Sequence, residues 1–155
     1  MPHSQPTLGF ILHDVARFLR KRFEQRAKCL ALTRSQWQVL AFLGANEGIH
    51  QGGLAEILEI EGITLTRIID KLESKGLVKR SKHPSDRRVW LLHLTEAAHP
   101  LIEQMRGLGD ATRAEALAGL TEADREHLTR MLTIMRKNLL TACEQPVEVL
   151  ESDHA

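Results

Sequence analysis

Apolar residues recur along the chain at two different periods. Leu8, Ile11, Leu12, Val15 and Leu19 fall three or four positions apart, with Phe18 and Phe23 beside the stripe, and predict a helix over residues 7–30. Thr33-Arg34-Ser35-Gln36 has the form of a capping box, in which Thr33 accepts from a free backbone amide and Gln36 reaches back. Trp37, Leu40, Ala41 and Leu43 supply the apolar face of the helix that follows, and residues 44–48 break it. Leu54, Ala55, Ile57 and Leu58 predict a short helix over residues 51–58, and Gly62 marks a turn. A further helix is expected over residues 64–75, with Leu65, Ile68, Ile69 and Leu72 inward and Gly76 placed to stop it.

The period then changes to two. Residues 77–81 and 89–94 each read as a strand, and the charged, turn-rich run 82–88 between them reads as a hairpin tip. Thr95 is the expected N-cap of a long helix carrying Ala98, Leu101, Ile102, Met105 and Leu108. Thr121-Glu122-Ala123-Asp124 opens another, with Leu128, Met131, Leu132, Met135 and Leu139 inward; residues after Gln145 are expected to fray. The fold class is thus mainly α with a small β hairpin. Short helices followed by a hairpin are the arrangement of a winged helix-turn-helix. Residues 32–94 would form that lobe, while residues 1–31 and 95–155 would form a helical dimerisation region. The long terminal helices are too apolar along one side to stand alone, and a second copy of the chain is the simplest cover.

Charge sharpens this picture. The chain of 155 residues has a net charge of only +1. Between residues 64 and 93, however, Arg67, Lys71, Lys75, Lys79, Arg80, Lys82, Arg87 and Arg88 are opposed only by Asp70, Glu73 and Asp86. A basic middle followed by an acidic end points to one polyanion-binding face on a nearly neutral body. No apolar run reaches the roughly 18 residues needed to span a membrane, and no secretory signal is visible in the first residues, so a cytoplasmic location is expected. Two distant cysteines, Cys29 and Cys143, argue against a disulfide framework. The eight histidines show no metal-ligand spacing, and no glycine-rich loop or nucleophile motif is present, so neither a metal, a cofactor nor an enzyme activity is expected.

The stretch around Trp37 and the run Pro100-Leu101-Ile102 resemble the SlyA-like branch of the MarR family most, and several segments taken together resemble the family as a whole. They are Leu32-Thr33-Arg34-Ser35-Gln36-Trp37, the run Thr64-Leu65-Thr66-Arg67 through Lys75-Gly76-Leu77-Val78-Lys79-Arg80, Pro84-Ser85-Asp86-Arg87-Arg88, and Leu94-Thr95-Glu96-Ala97. The resemblance covers roughly residues 8–140. It implies a ligand-responsive transcriptional regulator, a repressor in the first instance, that binds palindromic double-stranded operator DNA as a homodimer. One difference stands out. The turn before the recognition helix is Glu61-Gly62-Ile63, where many members carry Gln-Pro or a similar polar pair, so base reading would rest on Thr64, Thr66 and Arg67.

Those three residues open the expected recognition helix, where short hydroxyls and a helix N-terminus suit phosphates and base edges and Arg67 can hold a guanine through two parallel bonds. On the hairpin, Lys79, Arg80 and Lys82 would bind phosphates, and Ser85 belongs to the tip. The resemblance implies that Asp86 braces an arginine, with Arg87 and Arg88 sharing bracing and entry into the minor groove. It also implies that a small aromatic carboxylate is held by Arg17 and Arg20 of the first helix, Ser35 and Trp37. Two guanidiniums suit the carboxylate and Trp37 an apolar wall. Cys29 as an oxidant sensor is the alternative trigger, although a buried structural thiol is the commoner state of a cysteine so placed. A helical protein-interaction module without sequence-specific DNA binding is the alternative from another class.

Overall fold

The computed structural model describes residues 7–147. Two compact units meet in sequence at Ala116 and Leu117. The first holds helices α1 (Leu8–Arg26), α2 (Arg34–Ala45), α3 (Gln51–Leu58), α4 (Gly62–Ser74) and α5 (His99–Ala116), with strands β1 (Val78–Lys82) and β2 (Trp90–Leu94) between α4 and α5. The second holds α6 (Glu122–Cys143). Mainly helical with one antiparallel hairpin, the first unit carries a winged helix-turn-helix.

Local chemistry explains most boundaries. Thr33 accepts from the Gln36 amide while the Gln36 side chain accepts from the Thr33 amide, and Thr121 and Asp124 do the same for α6, so both capping boxes form. Gly76 follows α4 with φ +72°, a left-handed turn that a side chain would strain. β1 and β2 pair in the register Val78↔Leu94 to Lys82↔Trp90. Residues 48–50 add a short third edge, through Gly48 N–H to the Leu92 carbonyl, Leu92 N–H to the Ile49 carbonyl, and a bridge from His50 to Leu91.

Four expectations shift. The first helix ends at Arg26 and continues as a tight 3-10 turn over Ala27–Leu30, which sends Ala27 and Leu30 into the core. Gly62 opens α4 rather than preceding it, with Glu61 as the N-cap. Thr95 stands at the N-cap of a short 3-10 turn, Glu96–Ala98, that leads into the long helix, but its side chain does not cap that turn. Its hydroxyl donates to the Gly76 carbonyl at 2.6 Å and ties the hairpin exit to the end of α4, and α5 begins only at His99. Cys29 is exposed rather than buried, because the tight turn faces it outward, with its thiol donating to the Arg26 carbonyl.

The core of the first unit gathers Leu40, Leu43, Leu54, Leu65, Ile69, Leu72 and Leu92, all with 0% exposure, from α2, α3, α4 and β2. α1 packs along α5, and a cluster of charge reinforces the contact. Arg22 donates to both oxygens of Glu115 at 2.8 and 3.1 Å, and Arg26 donates to both as well and to the Thr112 hydroxyl. The Arg22 guanidinium first, and Arg26 second, hold the Glu115 carboxyl far below its usual 4.5, at about 2. By contrast, the α1 residues Leu8, Phe10, Ile11, Val15 and Phe18 are exposed, as are Met131, Leu132, Ile134, Leu139 and Leu140 of α6. Of the face expected inward on the last helix, Met131, Leu132 and Leu139 are thus exposed and Leu128 and Met135 half-buried among the described residues.

Two outcomes follow from this packing. Leu65→Ala should lower the unfolding free energy by about 2–5 kcal/mol, because it empties a fully enclosed site; a urea titration showing a loss under about 1 kcal/mol would contradict the core assignment. Glu115 ionises more readily folded than unfolded, so its contribution is present above the usual 4.5 and disappears as pH falls through about 2. Glu115→Gln should thus be less stable than the parent at neutral pH, with the gap closing across that interval. A gap independent of pH would assign the loss to packing instead.

Candidate nucleic-acid interface

α4 is a two-faced helix. Leu65, Ile69 and Leu72 are sealed in the core, which fixes the rotation of the helix and turns Thr64, Arg67 and Lys71 to the surface. Thr64 is the third residue of the helix and exposed, so it is not the cap. Thr66 is half-buried and committed. Its hydroxyl donates to the Gly62 carbonyl at 2.9 Å and accepts from Gln51 Nε2 at 2.7 Å. Arg67 and Lys71 line a small cleft of about 150 Å³ with Thr33, Ser35 and Gln36 at the start of α2.

The hairpin carries the second set. Lys79 is exposed on β1. Lys82 donates to the Arg87 carbonyl at 2.9 Å and lies 3.6 Å from the centre of the Trp90 ring, so it stiffens the tip from inside the hairpin. His83 organises the turn, since its Nδ1 accepts from the amides of Ser85 and Asp86, with the Ser85 hydroxyl 3.2 Å away. Asp86 takes hold of Arg88. One carboxylate oxygen accepts from Arg88 N–H and Nε, the other from Nη2, at 3.0–3.2 Å. The Arg88 side chain, and then its backbone amide, keep the Asp86 carboxyl below the usual carboxylate range. The Arg88 side chain nevertheless stays 90% exposed. Among the described residues the Arg87 guanidinium has no acidic partner.

Arg80 departs from its expected place among the phosphate-facing residues. Its side chain is only 14% exposed and turns back onto α4, where it pairs with Asp70 at 2.7 Å and Glu73 at 3.1 Å. The reason is register. Arg80 sits opposite Leu92 in the ladder, on the side of the strand that meets α4, and two carboxylates one turn apart await it there.

The four residues expected to hold an aromatic acid do not share a cavity. Ser35 and Trp37 are two apart on α2, and positions two apart on a helix face nearly opposite ways. Ser35 looks toward α4. Trp37 is buried, with its ring in a tilted contact with Phe23 at 4.5 Å between centroids, and lines a cavity of about 430 Å³ between α2 and α5. Arg17 pairs with Asp14 at 2.9 Å and lies over the Phe18 ring, and Arg20 is half-buried on the same helix; neither lines that cavity. Its cations are Arg106 and Arg113, which sequence reading missed. Their spacing of seven along α5, around Gly109 and in line with Ile102 and Met105, was the available signal. His83 and Gln51 were also missed, and nothing in their neighbouring residues marks them. Among the described residues no three His, Cys, Asp or Glu side chains are grouped to hold a metal ion, and no helix is long and apolar enough to cross a membrane.

Known proteins share this architecture. The MarR family model matches residues 32–90. A solved transcriptional regulator, PA3341, is 31% identical, with 87% of this chain and 99% of that one covered and a TM-score of 0.77. Wild-type MarR from E. coli in its apo form is 27% identical, over 86% of this chain and 98% of that one, with a TM-score of 0.74. A putative MarR family transcriptional regulator from Listeria monocytogenes, solved in complex with 26mer DNA, is 27% identical over 94% and 99% of the two chains, with a TM-score of 0.76. With its two-faced α4, its basic hairpin and these likenesses along nearly its whole length, the chain belongs to the MarR family of transcriptional regulators.

Proposed function

We propose that the protein is a homodimeric repressor that binds a palindromic operator and releases it when a small aromatic acid binds. The observation that carries the DNA half is the pairing of α4's exposed, basic face with a basic hairpin tip, the acids Asp70 and Glu73 of the helix and Asp86 of the tip being already engaged by arginines. The Listeria relative bound to DNA supports the same reading. Thr64 and Arg67 read base edges in the major groove, Thr66 contributes mainly through its committed position, and Lys79 neutralises phosphate. Asp86 pre-orients Arg88 for the minor groove, so less rotamer freedom is lost on binding, while Arg87, Ser85 and Lys82 serve the flanking backbone and the shape of the tip.

Dimerisation rests on the uncovered apolar faces of α1 and α6. Phe10 is 69% and Leu140 63% exposed, and such faces call for a partner. In this division residues 1–31 and 95–155 join the copies and residues 32–94 contact DNA. A two-fold dimer requires half-sites about 10–10.5 base pairs apart, or a multiple of that.

The effector site is better placed at the Trp37 cavity than around Arg17, Arg20 and Ser35. Phe23, Trp37, Ile102 and Met105 supply apolar walls, and Arg106 and Arg113 supply cations that pair, among the described residues, with their near neighbours Glu103 and Asp110. A ligand there sits between α2, the first helix of the DNA lobe, and α5, the helix that leaves it. It acts by binding one spacing of the two recognition helices more tightly than the other.

DNA selected from a random pool by the protein provides the test. Arg88→Ala should weaken binding to the selected duplex by about 1–3 kcal/mol. Asp86→Asn decides the role of the brace, because removing an acid beside DNA should tighten binding by charge alone and loosen it if Asp86 orients Arg88. Weaker binding is expected; tighter binding would refute the brace. For the effector, benzoate- and cinnamate-like acids should lower operator affinity about 5- to 150-fold, the usual range of allosteric coupling. Arg106→Ala and Arg113→Ala should blunt that response, and an intact response in both would move the site elsewhere.

A further inference from the structure

Arg80 joins three elements through one side chain. From β1 it reaches the third and fourth turns of α4, where Nη2 donates to Asp70 Oδ1 at 2.7 Å and Nη1 to Glu73 Oε1 at 3.1 Å. The same Nη2 lies 3.4 Å from the Thr66 carbonyl, and Nε lies 3.4 Å from Oε1 of Gln51, the first residue of α3. Gln51 in turn donates to the Thr66 hydroxyl, which donates to the Gly62 carbonyl at the start of α4. A continuous hydrogen-bonded path therefore runs from the hairpin across the recognition helix to the helix before it.

We infer that Arg80 is a positioning residue, which locks the hairpin and α4 into one rigid reading unit, and not a contact to phosphate. The inference rests on the DNA-binding reading above. Three features support it. The side chain is 14% exposed, and its Nε, Nη1 and Nη2 all have partners within the protein. Two carboxylates already neutralise its charge, which removes the attraction that would draw it to phosphate. Its planar fork also addresses two separate acids and a carbonyl at once, which an ammonium on a flexible stem does not reproduce. The functional consequence is geometric. A winged helix-turn-helix must place its recognition helix in the major groove while its wing reaches the backbone or minor groove beside it, and both contacts form together only if the angle between them is held.

The strut and the phosphate contact differ in charge dependence. Arg80→Gln and Arg80→Lys would be compared with the parent on the selected duplex and on random duplex of equal length, over a series of salt concentrations. Hydrogen exchange would be followed in the DNA-free protein, with circular dichroism as the control for folding. As a strut, both variants lose affinity for the selected duplex by on the order of 10-fold. They bind random duplex nearly as the parent does, keep its salt slope, and exchange faster at the start of α3 and along the hairpin. As a phosphate contact, Arg80→Lys instead retains binding, and Arg80→Gln flattens the slope by about 0.9 per protomer on both duplexes. That pattern, or unchanged exchange in both variants, overturns the inference. If Arg80→Gln is unfolded, Arg80→Lys carries the comparison alone, since it keeps the charge and loses only the fork. A parent protein that retained neither duplex would defeat the DNA-binding reading and this role with it. Retention by the parent with the phosphate pattern in the variants would defeat this role only.

Discussion

The rotation of α4 about its own axis is the constraint on which the rest depends. Leu65, Ile69 and Leu72 sit at 0% exposure against α2, α3 and the hairpin, so the helix cannot turn without opening the core. Every exposed position of α4 is fixed by that burial. Thr64, Arg67 and Lys71 face out because Leu65, Ile69 and Leu72 face in, and Asp70 and Glu73 lie where β1 can meet them. The strand then returns the favour through Arg80. Apolar packing sets the orientation and the ion pairs hold the hairpin to it, which is the usual division between non-directional and directional forces.

The same arrangement converts a nearly neutral chain into one with a basic face. The three acids in the segment of residues 64–93 are Asp70, Glu73 and Asp86. All three are engaged by arginines, the first two by Arg80 and the third by Arg88. Arg67, Lys71, Lys79 and Arg87 are then left without an acidic partner among the described residues. The acids thus do not dilute the field of the face so much as shape it, since each fixes an element that carries cations. Such a face attracts a polyanion at moderate salt and releases it as salt rises.

Much of this was legible in the sequence, and the gaps have physical causes. Periodicity found the six α-helices and both strands of the described residues because each carries an apolar face, and the Thr33 and Thr121 caps were visible because a capping box is local. The hydroxyl of Thr95 was misread because its partner, Gly76, is 19 residues away and only the folded hairpin brings them together. Arg80 was grouped with its basic neighbours for a similar reason. Sequence shows its charge but not the register that aims it at α4. The Ser35 and Trp37 pairing conflicted with helical geometry, and the cations that do line the Trp37 cavity come from α5, more than sixty residues on. His83 acts through a ring nitrogen on two backbone amides, a role with no compositional signature.

A hydroxyl-radical footprint of the protein on its selected duplex tests the account most directly, because it reads the placement of both recognition units at once. The account predicts two symmetric protected windows, centred one helical turn or a whole multiple apart, each with a flanking patch where the hairpin tip lies against the minor groove. A single unpaired window, or even protection with no periodicity, would contradict it.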